Sequence, residues 1–571
     1  MRMSFCVRDQ IRFHLRKRIE ALEEGYRQNV GLIGPDGMGK TYLLESIFHS
    51  LIGQSRFIPV YFDAESVDYD NFAERWIGAM LTGVFLSQSV QPPENYQSLL
   101  RAAALIVPVT VGRIETLQKN FRKEKIATSV RELFSLIGTL SDETGKKVAL
   151  LIDEFHAIEK LPANDPFVMM GREIMAQKNT IYIVASSYAA RAKEIFRDKF
   201  SLLFGNFEIV EIDAFDGDQA EKWIKSRIPG KQFGATEIKF LLRLTGGNPQ
   251  YLDILIDRIE AQVTHIESAH HIPTFELDFE KKVPKRSFFD AVYEEVFSEF
   301  GRIGLLFRNR IDLCSRMAKD SAPYLKALVA LACGRRKMLG ISTFIEKKNR
   351  ETKKILDRLV HEEWVCRKGD FYILNDVFFR FWLREVFYKK KQLFTPEMIK
   401  VRQSFIEALE RQWRECENSW RDGLAMTVEK LFKEFRNDVV EVGQKRWQCP
   451  QFSEIGFRPT NEKVITFYAK GPRVRWLCQV AYEPVKEEEI ASFIQESKKY
   501  KKRILKKIMI AVGGIEQNAK LMAQEARIQV WDLKCFNALL DLYDIPKFVM
   551  GVEEDKYGSN VGTLAEGVYQ A

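Results

Sequence analysis

Eight residues constrain this chain more than any others: Gly34-Pro35-Asp36-Gly37-Met38-Gly39-Lys40-Thr41. They fit the pattern G-x-x-x-x-G-K-[S/T], which requires a strand before it and a helix after it. Val30-Gly31-Leu32-Ile33 supplies an apolar run on one side. Tyr42-Leu43-Leu44-Glu45-Ser46-Ile47-Phe48 supplies a helical pattern on the other. Glycines in such a loop let backbone N–H groups turn inward and cradle a phosphate at a helix N-terminus. Lys40 is then placed to reach the β and γ oxygens as a point charge, and the Thr41 hydroxyl to ligate Mg²⁺. A glycine-rich turn that merely precedes a helix is the alternative. The full pattern in its strand–loop–helix context argues against it, so Gly34 through Tyr42 form a candidate ATP site.

A site of this kind needs a second, acidic element. Val148-Ala149-Leu150-Leu151-Ile152-Asp153-Glu154 provides one. Its apolar residues suit a buried parallel strand. Asp153 then lies at the carboxyl end of that strand, where α/β sheets place their ligands. Asp153 is expected to join Thr41 in the Mg²⁺ shell, and Glu154 to polarise the attacking water.

Length and composition bound the rest. A chain of 571 residues suggests about three or four domains. A hydrophobic content of 46% is ample for cores. No apolar run reaches the roughly 18 residues of a membrane span. The nearest, Ala102 to Val111, is short and contains Pro108. Met1-Arg2-Met3-Ser4-Phe5 lacks a signal-peptide core. The eight cysteines are scattered singly, which argues against a zinc site and a disulfide framework. A reducing cytoplasm is the expected location, without membrane contact. The net charge of +9 permits a nucleic-acid partner without demanding one.

The expected fold is multidomain α/β. Residues 1–225 alternate apolar strands with helical patterns, which predicts a P-loop NTPase parallel sheet with helices on both faces. The strands are Asn29–Ile33, Ile58–Phe62, Val148–Ile152, Thr180–Ala185 and Glu208–Ile212. Between the second and third lie helical patterns at Asp70–Leu86 and Ser129–Leu140. Residues 226–285 suit a small helical lid. Within them, Gly246-Gly247 ends one helix and Asn248-Pro249 starts the next. That helix start is expected to face the nucleotide.

These motifs together resemble the STAND-type ATPases of archaea and bacteria, relatives of the AAA+ proteins. The chain is similar to archaeal replication-initiator ATPases over roughly its first 280 residues. The resemblance rests on Phe5-Cys6-Val7-Arg8-Asp9, the P-loop, Leu150-Leu151-Ile152-Asp153-Glu154, Ala185-Ser186-Ser187 and Leu244-Thr245-Gly246-Gly247-Asn248-Pro249. It implies that Ser186 senses the γ-phosphate or the attacking water, and that Arg8 and Pro249 border the nucleotide. It also implies a homo-oligomer. Two departures matter. Val7 replaces the usual glycine of the opening motif, and Phe204-Gly205-Asn206 lacks the arginine that many members carry there. Arg191 and Arg197, just upstream, are the candidates to replace it.

Residues 286–398 read as a winged-helix domain. Tyr324–Ala332, Gly340–Glu346 and Arg350–Val360 are the expected helices, and Trp364–Leu374 a hairpin with a Lys-Gly-Asp turn. Asn375–Trp382 resembles the segment that follows the winged helix in this ATPase family, without its proline. Lys347, Lys348, Arg350, Lys353 and Lys354 make the second and third helices basic, either as a solvated face or as a DNA contact.

Residues 399–571 change character. A helical stretch, Phe405–Phe435, is followed by strands at Lys463–Tyr468, Val474–Tyr482, Lys507–Val512 and Ile528–Leu533. The order resembles the restriction-endonuclease fold. An active member carries an acid in its second strand and Glu-x-Lys in its third, to hold metal and polarise water. Here Gln479-Val480-Ala481 takes the third-strand place, and Val464-Ile465-Thr466-Phe467-Tyr468 has no acid. Glu454 and Glu483 are the nearest stray carboxylates. The domain is expected to be catalytically inactive, with a basic patch at Lys498-Lys499-Tyr500-Lys501-Lys502-Arg503, Lys506 and Lys507. Three functions follow in order: a nucleotide-controlled DNA-binding ATPase, an ATP-switched scaffold that never binds DNA, and an active nuclease.

Overall fold

The computed structural model describes residues 7–65, 69–121, 126–200, 205–228, 233–269, 283–392, 398–417, 420–443, 445–461, 464–500, 504 and 506–549. The chain forms two compact units, Met1–Ala214 and Phe215–Ala571.

In the first unit, five strands form one parallel sheet: β1 Asn29–Ile33, β2 Phe57–Asp63, β3 Lys147–Asp153, β4 Thr180–Ser186 and β5 Phe207–Glu211. Their order is β2-β3-β4-β1-β5. Each expected strand is present, displaced by no more than a residue at either end. Strand side chains alternate between faces, and the apolar runs serve two cores. Val148, Leu150 and Ile152 face one core with Trp76, Met80 and Phe134. Ala149 and Leu151 face the other with Leu15, Ile19, Leu43, Leu44 and Ile47. This double covering is why the strands read as unbroken apolar runs.

The stretch between β2 and β3 holds four helices: Tyr69–Leu86, Tyr96–Ala103, Pro108–Phe121 and Ile126–Thr144. Pro108 stands at the start of its helix, where its missing N–H costs nothing, so the apolar run from Ala102 is split between two elements. Among the described residues, no helix is long and apolar enough to cross a membrane.

The second unit opens with the helices Gly217–Arg227, Ala235–Thr245 and Pro249–Ala269. The first of these runs across residue 225, the expected domain boundary. Gly246 and Gly247 take φ of +66° and +77°, a left-handed turn that ends one helix. The Asn248 side chain accepts from Gln250 N at 2.9 Å and caps the next. Further on, helices Ala322–Ala332, Met338–Ile345 and Asn349–His361 precede an antiparallel hairpin, β6 Val365–Lys368 and β7 Phe371–Leu374.

The expected helix Phe405–Phe435 is two helices, Met398–Glu417 and Trp420–Glu434. A hairpin follows, β8 Asp438–Val442 and β9 Lys445–Cys449, and then a mixed sheet. The sheet runs β10 Glu454–Asn461, β11 Val464–Lys470, β12 Arg475–Ala481, β13 Lys506–Ala511 and β14 Ile528–Asp532, in that spatial order. β10, β11 and β12 pair antiparallel, and β12, β13 and β14 parallel. A helix, Glu487–Lys498, joins β12 to β13. Sequence reasoning assigned no strand to β8, β9 or β10. β9 reads Lys-Arg-Trp-Gln-Cys, and β10 contains Gly456 and Pro459. Proline is tolerated there because β10 is an edge strand, and the register breaks between Pro459 and Asn461.

The β6–β7 turn is not free. Asp370 N donates to Val439 O at 2.9 Å, and Val439 N donates to the Asp370 carboxylate at 2.8 Å. Gly369 has φ of +70°, and a Cβ there would lie 2.2 Å from Val439 O. Phe371 and Ile373 share one core with Leu424, Phe432, Phe467 and Trp476. Lys337 pairs with Asp438 at 2.6 Å, Arg336 with Asp544 at 2.6 Å and Arg380 with Asp541 at 2.7 Å. Hairpin and mixed sheet are therefore one packed body.

Candidate functional site

The loop after β1 owes its shape to its glycines. A Cβ on Gly34 would lie 2.3 Å from Ile212 O, so only glycine fits. Gly37 and Gly39 adopt φ of +77° and +84°, conformations that cost other residues free energy. The helix Lys40–Leu51 starts at once, leaving its first N–H groups for a ligand. Pro35 and Asp36 are exposed, and Tyr42 is partly buried. Met38 turns its side chain into the core beside Leu43 and Ile212, so its part in the loop is played by backbone.

Lys40 is 4% exposed. Its Nζ donates to Gly34 O and to Pro35 O, both at 2.9 Å. Burial lowers its pKa, against the pull of Glu154, Asp36 and Asp153, and Arg8 lowers it further. That places Arg8 within electrostatic reach of the loop lysine. Arg8 itself donates to Asp213 O at 2.7 Å. Burial brings its pKa down to about 10, opposed by Asp213. Val7 and Arg8 precede the helix Asp9–Glu23, while Phe5 and Cys6 lie outside the described residues.

The fold brings Thr41 and Asp153 together across more than a hundred residues, close enough for the Thr41 side chain to stabilise the Asp153 carboxylate. Asp153 is 3% exposed and accepts from Glu154 N at 3.0 Å and Tyr61 Oη at 3.4 Å. Burial raises its pKa; the Thr41 side chain opposes this, and the charges of Glu154 and Asp63 add to it. A buried carboxylate held by neutral donors is a cation ligand in waiting.

Glu154 begins the turn after β3 in the left-handed region, at φ +45°. Its Oε2 accepts from Ser187 N and Ser187 Oγ, each at 2.8 Å, and lies 3.2 Å from His156 Nδ1. Burial alone would raise its pKa, but the bonds from His156 and Ser187 outweigh it and hold the carboxyl below its ordinary value.

Ser186 behaves differently from its neighbour. It is fully buried, and its Oγ lies 3.0 Å from His156 Nδ1, accepts from Tyr188 N at 3.1 Å and donates to Tyr188 O at 3.3 Å. The serine that touches Glu154 is thus Ser187. Sequence reasoning missed Ser187, His156 and Tyr61. Ser187 stood in the same Ala-Ser-Ser run, and only side-chain direction distinguishes the two. Pro249 is buried at the start of its helix in the second unit. Arg191 binds Glu159 and Glu194, and Arg197 binds Asp198 at 2.7 Å. Phe204 lies outside the described residues.

Residues 14–255 match a family described as an ATPase domain predominantly from Archaea. This segment is a P-loop ATPase domain. The match passes the end of the first unit and takes in the turn Gly246 to Pro249. No curated protein matches the chain. Among solved structures, the chain is similar to a Walker-type ATPase of Pyrococcus abyssi, with 16% identity and a TM-score of 0.40, over 65% of this chain and 95% of that one. It is also similar to the ORC1 protein of Aeropyrum pernix in complex with DNA, with 13% identity and a TM-score of 0.37, over 68% and 95%. A third similarity is to Drosophila ORC bound to DNA, with 9% identity and a TM-score of 0.32, over 67% and 87%.

Away from the ATPase domain, Lys347, Lys348, Arg350, Lys353 and Lys354 are all exposed. Lys347 lies 3.7 Å from Glu351. The other face of the helix Asn349–His361 buries Thr352, Ile355, Leu356 and Leu359. In the mixed sheet, Gln479 is 2% exposed and donates from Nε2 to Thr466 Oγ1 at 3.1 Å. Glu454 pairs with Lys470 at 3.0 Å. Among the described residues, no three His, Cys, Asp or Glu gather to hold a metal ion. Of the expected basic patch, Lys501, Lys502 and Arg503 lie outside the described residues. Lys507 donates to Ala526 O at 2.7 Å. Lys506 lies over two tryptophan rings, 4.5 Å from the centroid of Trp476 and 5.4 Å from that of Trp447.

Proposed function

We propose that this chain is a Mg²⁺-dependent STAND-type ATPase whose nucleotide state controls a DNA contact. The observation that carries the nucleotide half is the burial of Lys40 and Asp153 within electrostatic reach of each other, with Thr41 beside Asp153. Thr41 and Asp153 would hold Mg²⁺, which, when bound, supplies positive charge to the phosphate oxygens. Lys40 exchanges its two loop carbonyls for phosphate oxygens. Glu154 leaves Ser187 to orient the attacking water and accept its proton at Oε2. Arg8 adds a second positive charge near Lys40. Release of Glu154 frees Ser187 as well, so the same movement reports occupancy to the end of β4.

The DNA half rests on the helix Asn349–His361 as the third helix of a winged helix. Lys348, Arg350, Lys353 and Lys354 have no carboxylate partner among the described residues. Unpaired surface cations release counterions when they meet phosphate, and each contact adds to the salt dependence of binding. Because the wing turn is held against Val439, the helix face alone would approach the duplex. On this reading the mixed sheet is a nuclease-like fold without catalytic residues and serves as a brace for the wing. A homo-oligomer belongs to the same proposal.

Fluorescence anisotropy with a duplex at two salt concentrations, with and without ATP, tests it. Lys353→Glu with Lys354→Glu should weaken binding to all sequences and flatten the salt dependence by about one unit of slope per lost contact. Absence of binding by the wild-type chain at low salt would leave the ATP-switched scaffold, a reading the covered wing turn favours.

A further inference from the structure

We infer that the second unit binds a small organic anion with an apolar body, in a cavity where the helices Met398–Glu417 and Trp420–Glu434 and the segment after the final helix meet the helix Ala235–Thr245. The cavity measures about 240 Å³, just below the range of about 300–1,000 Å³ for drug-sized ligands. It suits a monomeric ligand. Lys239 and Arg243 line it from Ala235–Thr245, Met426 and Lys430 from Trp420–Glu434, and Lys547 and Phe548 from the segment after the last helix.

The one carboxylate of the lining, Glu415, is already bound by Arg243 at 2.8 Å. Lys430 and Lys547 have no ion pair among the described residues. Burial raises the pKa of the Cys416 thiol, with Arg243 opposing, so the thiol supplies no compensating anion. Like charges gathered in a concave, low-dielectric wall raise the local concentration of anions.

The remaining wall is apolar. Ile545, Phe548 and Val549 form part of it. Met426, 68% exposed, presents its side chain at this wall. Methionine adapts to varied apolar shapes. A bare phosphate would satisfy the cations and leave this wall wet; a neutral apolar molecule would do the reverse. An anionic head on an apolar frame satisfies both.

Two features give the site a consequence. Ala235–Thr245 lies inside the stretch that matches the ATPase family and leads into Gly246-Gly247. The other walls belong to the C-terminal part of the chain. A ligand here ties the end of the ATPase-family segment to the C-terminal block.

The test uses the full chain and a matched pair of dyes. 1-Anilinonaphthalene-8-sulfonate carries an anionic head, and N-phenyl-1-naphthylamine has the same body without it. The sulfonate should bind saturably, and at least tenfold more tightly than the neutral dye. Lys430→Glu with Lys547→Glu should weaken the sulfonate at least tenfold and leave the neutral dye unchanged. Gly423→Phe provides an independent check. A Cβ at Gly423 meets nothing within 4 Å, so the ring has room to enter the cavity without disturbing the helix. It should abolish binding of both dyes while circular dichroism reports an unchanged fold. Equal affinity for the two dyes, or sulfonate binding that survives both the charge reversal and Gly423→Phe, would overturn the inference.

Discussion

At the carboxyl ends of β1, β3 and β4, Lys40, Thr41, Asp153, Glu154 and Ser187 converge. In the middle of the mixed sheet, on β12, the polar residues are Gln479 and, across the ladder, Thr466, bonded to each other and fully covered. Both sites are buried polar clusters at the heart of an α/β sheet. The first holds ionisable groups whose pKa values are displaced by burial and by one another; the second holds neutral groups that satisfy each other. A fold needs only the second arrangement. Buried charges without a firm partner destabilise a domain, and their presence together at a strand end marks chemistry.

Several substitutions would break or sharpen this contrast. The largest effect is expected from Glu154→Gln. It keeps the shape and removes the proton acceptor, so ATP turnover should fall by about 10²–10⁴-fold with nucleotide still bound. Phosphate-release kinetics beside a nucleotide titration would check both halves; unchanged turnover would move the catalytic base elsewhere.

Next is Lys40→Ala. It removes a charge-assisted contact of about 1.5–3 kcal/mol, and ATP affinity should weaken by about tenfold or more. Calorimetric titration measures it directly.

Gln479→Glu asks the reverse question. It places a carboxylate beside Thr466 without a cation, and should cost about 1–3 kcal/mol of stability. It should not create cleavage of a plasmid with Mg²⁺ or Mn²⁺, and the wild-type chain should leave the plasmid intact too. Urea unfolding and gel analysis would show the outcome; cleavage lost on mutating Glu454 or Glu483 would revive the nuclease reading.

The smallest effect concerns Lys506. Burial lowers its pKa to about 8 from 10.5, with Cys449 and Cys535 opposing. The unfolded chain therefore holds more protons between those values, and this residue makes the fold more stable as pH rises through that window. Lys506→Met should abolish that part of the rise, seen as a flatter dependence of the urea midpoint on pH from 7.5 to 10.

Much of the ATPase domain was legible because its signals are local. An apolar run, a glycine loop and a helical pattern are properties of neighbours in sequence, and all five parallel strands were found this way. The mixed sheet was harder. β12 and β13 are central and apolar and were found, whereas β10 carries Gly456 and Pro459 and reads as a loop until its place at the sheet edge is known. β9 is polar because one side of its hairpin faces solvent, with Arg446 and Gln448 exposed. Lys506 read as part of a charge run, because nothing in its neighbours announces two tryptophan rings above it.

By itself, then, the sequence determined which residues could hold a phosphate and which strand could carry the acids. It did so through backbone geometry that a few adjacent residues encode. The tertiary structure alone decided two pairings: Glu154 with Ser187 rather than Ser186, and the β6–β7 turn with Val439. Each joins residues that are distant along the chain or point in directions that spacing does not specify. Such contacts are settled by packing and rotamer choice across separate elements, and no local pattern records them.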